Sequence, residues 1–378
     1  MNAPDAVSPS DAASDRVLAR VIREESGRIV AALTLSLGNL DLAEESAAEA
    51  VAEALVRWRT AGVPPNPGGW LTTAARHDAL DRLRRDKRYR QKLEFLAATP
   101  VPSERDIDER LPLLFGCCHP ALSASAQLAL TLRAVCGLTT EQIARATVST
   151  PIAVGQRIVR AKRKIGAAGI PLRVPTGGER SPRLDLVLTV ISVMYNEAHL
   201  VAGGGAAADR DVAEDALWLA DVVAQALPGE PEALGLVALL KFHRSREPAR
   251  SFGGDIVLLA DQDRSRWDPA LQIDAHRALA AAAARGRPGR WQLQAAIAAC
   301  HADAAEYART DWPQIVVLYD MLLGYDPSPV VRLNRAVAVA ETGEVEAALT
   351  EVDLLHDELE QIPPVARGAS RSAAPSRA

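Results

Sequence analysis

Residues 138–164 read LTTEQIARATVSTPIAVGQRIVRAKRK, and the pattern predicts two short helices joined by a tight turn. Thr139-Thr140-Glu141-Gln142 opens the first helix, with Ile143 and Ala144 as its buried positions. Ala146-Thr147-Val148-Ser149 makes the turn, and Thr150-Pro151 starts a second helix that runs to Ile165, anchored by Ile152, Val154, Ile158 and Val159. This is a helix-turn-helix pattern. Its second helix presents Gln156, Arg157, Arg160, Lys162, Arg163 and Lys164; five of the eight residues from Arg157 to Lys164 are basic and none is acidic. Such a helix can set its first side chains against base edges while its later Arg and Lys hold phosphates. An ordinary helical hairpin is the plainer alternative, but it explains neither the short turn nor the charge pattern.

Upstream, Val17, Val21, Ile22, Ile29, Leu33 and Leu37 recur at helical spacing from Arg16, and Gly38-Asn39 ends that helix. Asp41 is expected to cap a second helix, which carries Glu44, Glu45, Glu49 and Glu53 and ends near Trp58. After the loop at 61–67, Asn66 and Pro67 start a third helix that reaches about Arg90 and holds Trp70, Arg76, Arg82, Arg84, Arg85, Lys87 and Arg88. By itself this basic helix reads more readily as a solvated face than as a phosphate-binding surface.

The charge is divided along the chain. Residues 1–180 hold 25 Lys and Arg against 20 Asp and Glu; residues 181–378 hold 18 against 28. A basic half joined to an acidic half suggests nucleic-acid binding coupled to protein interaction. The four cysteines form no disulfide framework, and no apolar run is long enough to cross a bilayer, so a cytoplasmic protein without a membrane partner is expected. G-x-S-x-G, P-loop and H-E-x-x-H motifs are all missing, so no enzyme and no cofactor is expected.

The segments 1–15 and 362–378 read as disordered tails, and 97–108 and 173–182 as linkers. Beyond Arg183, helices alternate with breaks at Gly203-Gly204-Gly205, Pro228-Gly229-Glu230-Pro231, Gly253-Gly254, 286–289 and 326–329, a helical-repeat pattern of irregular period. Cys117-Cys118-His119 reads as core packing at a helix junction rather than a metal site, because adjacent cysteines are poor tetrahedral partners. Asp261, Asp263, Arg264, Arg266, Trp267 and Asp268 read as a structural network in which Arg pairs carboxylates, and Trp312, Tyr319 and Leu322 as repeat core.

Three stretches in this order, DLAEESAAEAVAEALVRW (41–58), NPGGWLTTAARHDALDRLRRDKR (66–88) and the 138–165 motif, resemble the extracytoplasmic-function (ECF) group of sigma-70 factors. DERLPLLFGCCHPALSASAQLALTLRAVCGLTTEQIA, AKRKIGAAGIPLRVP, VLLADQDRSRWD, GRWQLQAAIAACHA, TDWPQIVVLYDMLL and PSPVVRLNRAVAVAE are similar to a subgroup with a tetratricopeptide-like (TPR-like) extension. The resemblance implies an all-α fold: sigma region 2 (16–96), sigma region 4 (109–172) and a TPR-like extension (183–361). It implies core RNA polymerase as partner, met by Asp41, Glu44, Glu45 and Glu49, and promoter DNA as ligand. Asn66, Trp70, Arg76, Asp81, Arg82, Arg84 and Arg85 would serve the minus-ten side, and Thr139, Gln156, Arg157, Arg160, Lys162 and Arg163 the minus-thirty-five side. The extension is expected to regulate, by docking on the basic half or by recruiting a regulatory protein. Past His356 the sequence departs from the subgroup, so the last repeat is expected to leave an apolar face uncovered. A stand-alone helix-turn-helix regulator with a TPR-like partner-binding domain, and a TPR-type scaffold that binds nucleic acid non-specifically, are the alternatives.

Overall fold

The computed structural model describes residues 9–85, 110–147, 149–201, 212–252 and 255–360. Among them the fold is all-helical, apart from a short antiparallel hairpin of β1 (Ser251–Phe252) and β2 (Asp255–Ile256). The chain divides into two compact units, Met1–Val190 and Ile191–Ala378. The expected linker at 97–108 and the tail at 362–378 lie outside the described residues, as do Gly203-Gly204-Gly205 and Gly253-Gly254.

In unit 1, α1 (Pro9–Leu37) starts seven residues before the expected Arg16 and so enters the stretch read as a tail. Its first turn has the chemistry of a helix start: Pro at the N-terminus, an acid at Asp11 and two alanines. The cap of α2 (Leu40–Ala61) is Asn39, not Asp41; Asn39 Oδ1 accepts the Leu42 N–H at 3.1 Å. Asp41 falls in the first turn, where its charge faces the positive end of the helix dipole. Ala43, Ser46, Ala50, Ala54 and Trp58 form the buried stripe of α2, with small side chains that let α1 and α3 pack closely. In α3 (Pro67–Arg85), Asn66 Oδ1 accepts the Gly69 N–H at 2.9 Å.

Four shorter helices follow among the described residues: α4 (Arg110–Cys117), α5 (Ala124–Ala134), α6 (Thr140–Ala146) and α7 (Pro151–Ala168). α4 and α5 pack on α1, and α6 and α7 pack on α5 and on each other. A Cβ at Gly27 would lie 2.1 Å from the Val135 carbonyl oxygen, so only glycine permits this approach. Cys117, Cys118 and Cys136 are fully buried, and burial pushes the Cys118 thiol up to about 12. His119 Nδ1 accepts the Ala121 N–H at 3.1 Å and fixes the turn that follows.

The unit boundary falls inside α8 (Arg180–Val201) rather than in the 173–182 segment, because the start of α8 is tied to unit 1 by Arg183 Nη2 donating to the Phe115 carbonyl. In unit 2, α9 (Val212–Ala226), α10 (Pro231–Ser245), α11 (Pro269–Ala283), α12 (Arg290–Asp303), α13 (Trp312–Leu323), α14 (Pro329–Glu341) and α15 (Val345–Glu360) each pack on the next, and α10 also packs on α12. At that crossing a Cβ on Gly235 would lie 2.7 Å from the Gln292 nitrogen. Gly289 offers α12 no capping side chain, and Glu232 of α10 supplies one: its carboxylate accepts the N–H groups of Trp291 at 2.9 Å and Gln292 at 3.3 Å. On α15, Val345, Leu349 and Leu354 are exposed.

Candidate nucleic-acid interface

The helix-turn-helix is held by local hydrogen bonds. A capping box opens α6: Thr139 Oγ1 accepts the Gln142 N–H at 3.2 Å, and Gln142 Oε1 accepts the Thr139 N–H at 2.8 Å. Ser149 N–H returns to the Ala144 carbonyl at 2.8 Å across the turn; Val148 lies outside the described residues. Thr150 Oγ1 accepts the Ala153 N–H at 3.2 Å and starts α7.

The buried stripe of α7 is Val154, Ile158, Ala161 and Ile165. Two expected anchors are not on it: Ile152 is 75% exposed and Val159 48%. Seven residues apart, they share the outer stripe with Gln156 and Arg163, while Ile152 stands about 200° from Val154 on a helix that turns about 100° per residue. Two apolar side chains on the presented face were therefore missed by the sequence reading. The four-three-four spacing of Val154, Ile158, Ala161 and Ile165 was the signal that would have separated them. Apolar groups at such positions suit thymine methyl groups.

Gln156, Arg160, Arg163 and Lys164 are exposed, and Arg157 is half-buried. Among the described residues none of these four cations is paired with a carboxylate; Arg160 Nε donates to the Gln156 carbonyl at 3.2 Å. Thr139 is exposed, with its hydroxyl used in the capping box.

Lys162 is placed differently. It turns from the presented face toward α2, where its Nζ lies 2.7 Å from Glu44 Oε2 and 2.8 Å from Asp41 Oδ1. The Lys162 side chain is only 12% exposed and that of Glu44 only 11%. Arg133 Nε approaches the same Glu44 oxygen at 3.8 Å. Burial alone would lower the Lys162 pKa, but Glu44 and Asp41 outweigh it and hold the amine above the usual lysine range. In this arrangement Lys162 offers nothing to a phosphate and Glu44 little to a partner protein. Asp41, Glu45 and Glu49 are exposed, and Leu55 and Val56 add apolar surface to the same helix.

On α3 the cations are largely matched within the unit. Arg82 pairs with Asp78 at 2.6 Å and with Glu45 at 3.0 Å, and Arg84 pairs with Asp81 at 3.0 Å. Arg76 is half-buried. Trp70 is half-buried and meets the buried Trp58 edge-on at 5.7 Å between ring centroids. Asn66 is exposed and engaged as a cap. The Arg85 side chain and Lys87 and Arg88 lie outside the described residues.

The polar cluster at 261–268 is structural in part by another route than expected. Asp263 and Asp268 cap helical turns. Arg264 bonds carbonyls instead of carboxylates: it donates to the His301 and Ala304 carbonyls, the second at 2.7 Å, because the end of α12 leaves acceptors unsatisfied. Trp267 is buried, with the Arg246 and Arg264 guanidiniums 5.4 and 4.9 Å from its ring centre.

No group of acidic, His and Cys side chains suited to a metal occurs among the described residues, and none of their helices is long and apolar enough to cross a membrane.

Comparison with known proteins places a match to sigma-70 region 4 on residues 113–165, which contains α6 and most of α7. Residues 183–283 match a family of unknown function, DUF6596. The uncharacterized protein R00370 of Rhizobium meliloti (strain 1021) is 40% identical over 342 residues, spanning 85% of this chain and 79% of that protein. No solved structure matches the chain.

Proposed function

We propose, for a chain that belongs to the family of Rhizobium meliloti R00370 and carries a sigma-70 region 4, the role of an RNA polymerase sigma factor of the ECF type with a TPR-like extension. The observation that carries this reading is the outer face of α7: exposed Gln156, Arg160 and Arg163 with half-buried Arg157, cations without carboxylate partners among the described residues, on a helix whose start is capped by Thr150. Base edges are met by Ile152, Gln156 and Val159, and phosphates by the Arg and Lys side chains. The exposed acids of α2, with Leu55 and Val56 beside them, meet core polymerase. The loop at 61–68 and α3 handle the minus-ten DNA. The protein works in the cytoplasm, where its template is, and catalyses no reaction itself.

The Lys162–Glu44–Asp41 contact ties one of these surfaces to the other, so binding polymerase and promoter together requires it to open. Unit 2, with its succession of packed helices, is the regulatory part.

The test is co-purification with core RNA polymerase followed by promoter-dependent run-off transcription, with the full chain and with Arg157→Ala/Arg160→Ala. A sigma factor associates with core and initiates selectively, and the double variant loses initiation while still binding core. Selective DNA binding without core association would establish a stand-alone regulator instead.

A further inference from the structure

A cavity of about 470 Å³ opens among α8, α10, α12, α13 and α14 of unit 2. Its charge runs against its surroundings. Residues 181–378 carry 18 basic and 28 acidic side chains, yet the cavity is lined by Arg246, Arg250 and Arg290 against a single carboxylate, Asp326. That carboxylate is engaged: Asp326 Oδ1 accepts the Ser328 N–H at 3.2 Å at the start of α14.

Arg246 is the unbalanced group. Among the described residues no carboxylate pairs with it. Its Nε reaches Gln262 Oε1 at 3.4 Å, and its guanidinium lies 5.4 Å from the centre of the Trp267 ring. Burial, and then the like charges of Arg250 and Arg264, pull its pKa down to about 10. A cation enclosed in this way without a counter-charge is costly, and an anion entering the cavity would relieve it. His301 adds a second unmet polar group: its Nδ1 is buried without a hydrogen-bond partner, and burial beside Arg246 and Arg264 drops the imidazole pKa to about 3, so the ring is neutral. Trp291, Trp312 and Tyr319 contribute aromatic wall to the same cavity. The volume falls within the range of about 300–1,000 Å³ typical of small-molecule sites and is too small for a folded partner.

We propose that this cavity is a binding site for a small organic anion, a carboxylate or phosphate ester with an aromatic or aliphatic body, whose charged end is held by Arg246 and Arg250 while its body rests on the aromatic wall. The inference does not depend on the sigma-factor reading. It gives unit 2 an input: a metabolite-sized anion that reports to an acidic helical array.

The experiment is calorimetric titration of the full chain with phenyl phosphate, benzoate, inorganic phosphate and benzyl alcohol. Saturable one-to-one binding is expected for at least one of the two organic anions, with inorganic phosphate about tenfold or more weaker for want of a body and the uncharged alcohol not binding. Arg246→Met and Arg250→Met are expected to weaken binding about tenfold or more each. Asn334→Asp, nearly isosteric, places a negative charge in the lining and weakens binding similarly, and it decides the matter should Arg246→Met fail to fold. Arg277→Met, at an exposed pair with Asp274 on α11, leaves binding unchanged. No saturable binding of either organic anion up to millimolar concentration overturns the proposal. So does binding that survives both Arg246→Met and Asn334→Asp, or benzyl alcohol binding as tightly as benzoate.

Discussion

Lys162 Nζ lies 2.7 Å from Glu44 Oε2, and this short contact joins the helix proposed to read DNA to the helix proposed to bind polymerase. Both side chains are nearly buried, so neither is held by a surface attraction that salt would erase. The two faces proposed to be functional are thereby tied together, and the contact sets a cost on separating them.

Removing one partner should expose that cost. Glu44→Ala leaves an enclosed ammonium with only Asp41 and is expected to lower stability in urea unfolding by about 3 kcal/mol. The apolar pair Lys162→Met/Glu44→Leu should recover most of it. Equal stability of Glu44→Ala and the parent would mean the pair contributes nothing.

The same pair predicts a pH response. A lysine held protonated above its usual range contributes stability that is complete below about pH 10 and fades only as pH rises through the raised value. Unfolding free energies of the parent and Lys162→Met should therefore differ by a constant amount between about pH 6 and 9 and converge above that range.

On α7, exposure separates stability from recognition. Ile152→Ala and Val159→Ala should change stability by less than about 0.5 kcal/mol, whereas Val154→Ala should cost about 2 kcal/mol. Selection of bound duplexes should show a weakened preference for thymine with the first two variants. An unchanged base preference would remove Ile152 and Val159 from the interface.

Each unpaired cation on α7 should appear in the salt dependence of DNA binding. Arg157→Ala and Arg160→Ala are each expected to reduce the slope of log affinity against log salt by about one. Arg277→Ala, on α11 of unit 2, should leave the slope alone.

In unit 2, Glu232 stands in for the missing cap of α12. Glu232→Ala should destabilise by about 1–2 kcal/mol and Glu232→Gln by less, since the amide still accepts a hydrogen bond. Denaturant midpoints of the two variants check the order.

The helical class, the start of α3 at Asn66-Pro67, the capping box at Thr139 and the breaks before Pro231, Arg290 and Pro329 were legible in the sequence, because caps, prolines and glycines act over three or four residues. The cap at Asn39 was missed for a local reason: Asn and Asp two residues apart compete for one role, and backbone conformation chooses between them. Ile152 and Val159 were misplaced because hydrophobicity was weighed without its phase around the helix.

By itself the sequence determined the helical class, several of the turns and which helix carries a run of cations; these follow from local propensity and from charges close in sequence. Only the tertiary structure decided that Lys162 leaves that run to meet Glu44, 118 residues away, that Glu232 caps a helix 60 residues on, and that three arginines of an acidic half share one cavity. Those pairings depend on how helices stack. An ion pair or a cap forms only where packing brings two distant side chains within about 3 Å and removes the water that would otherwise solvate them apart.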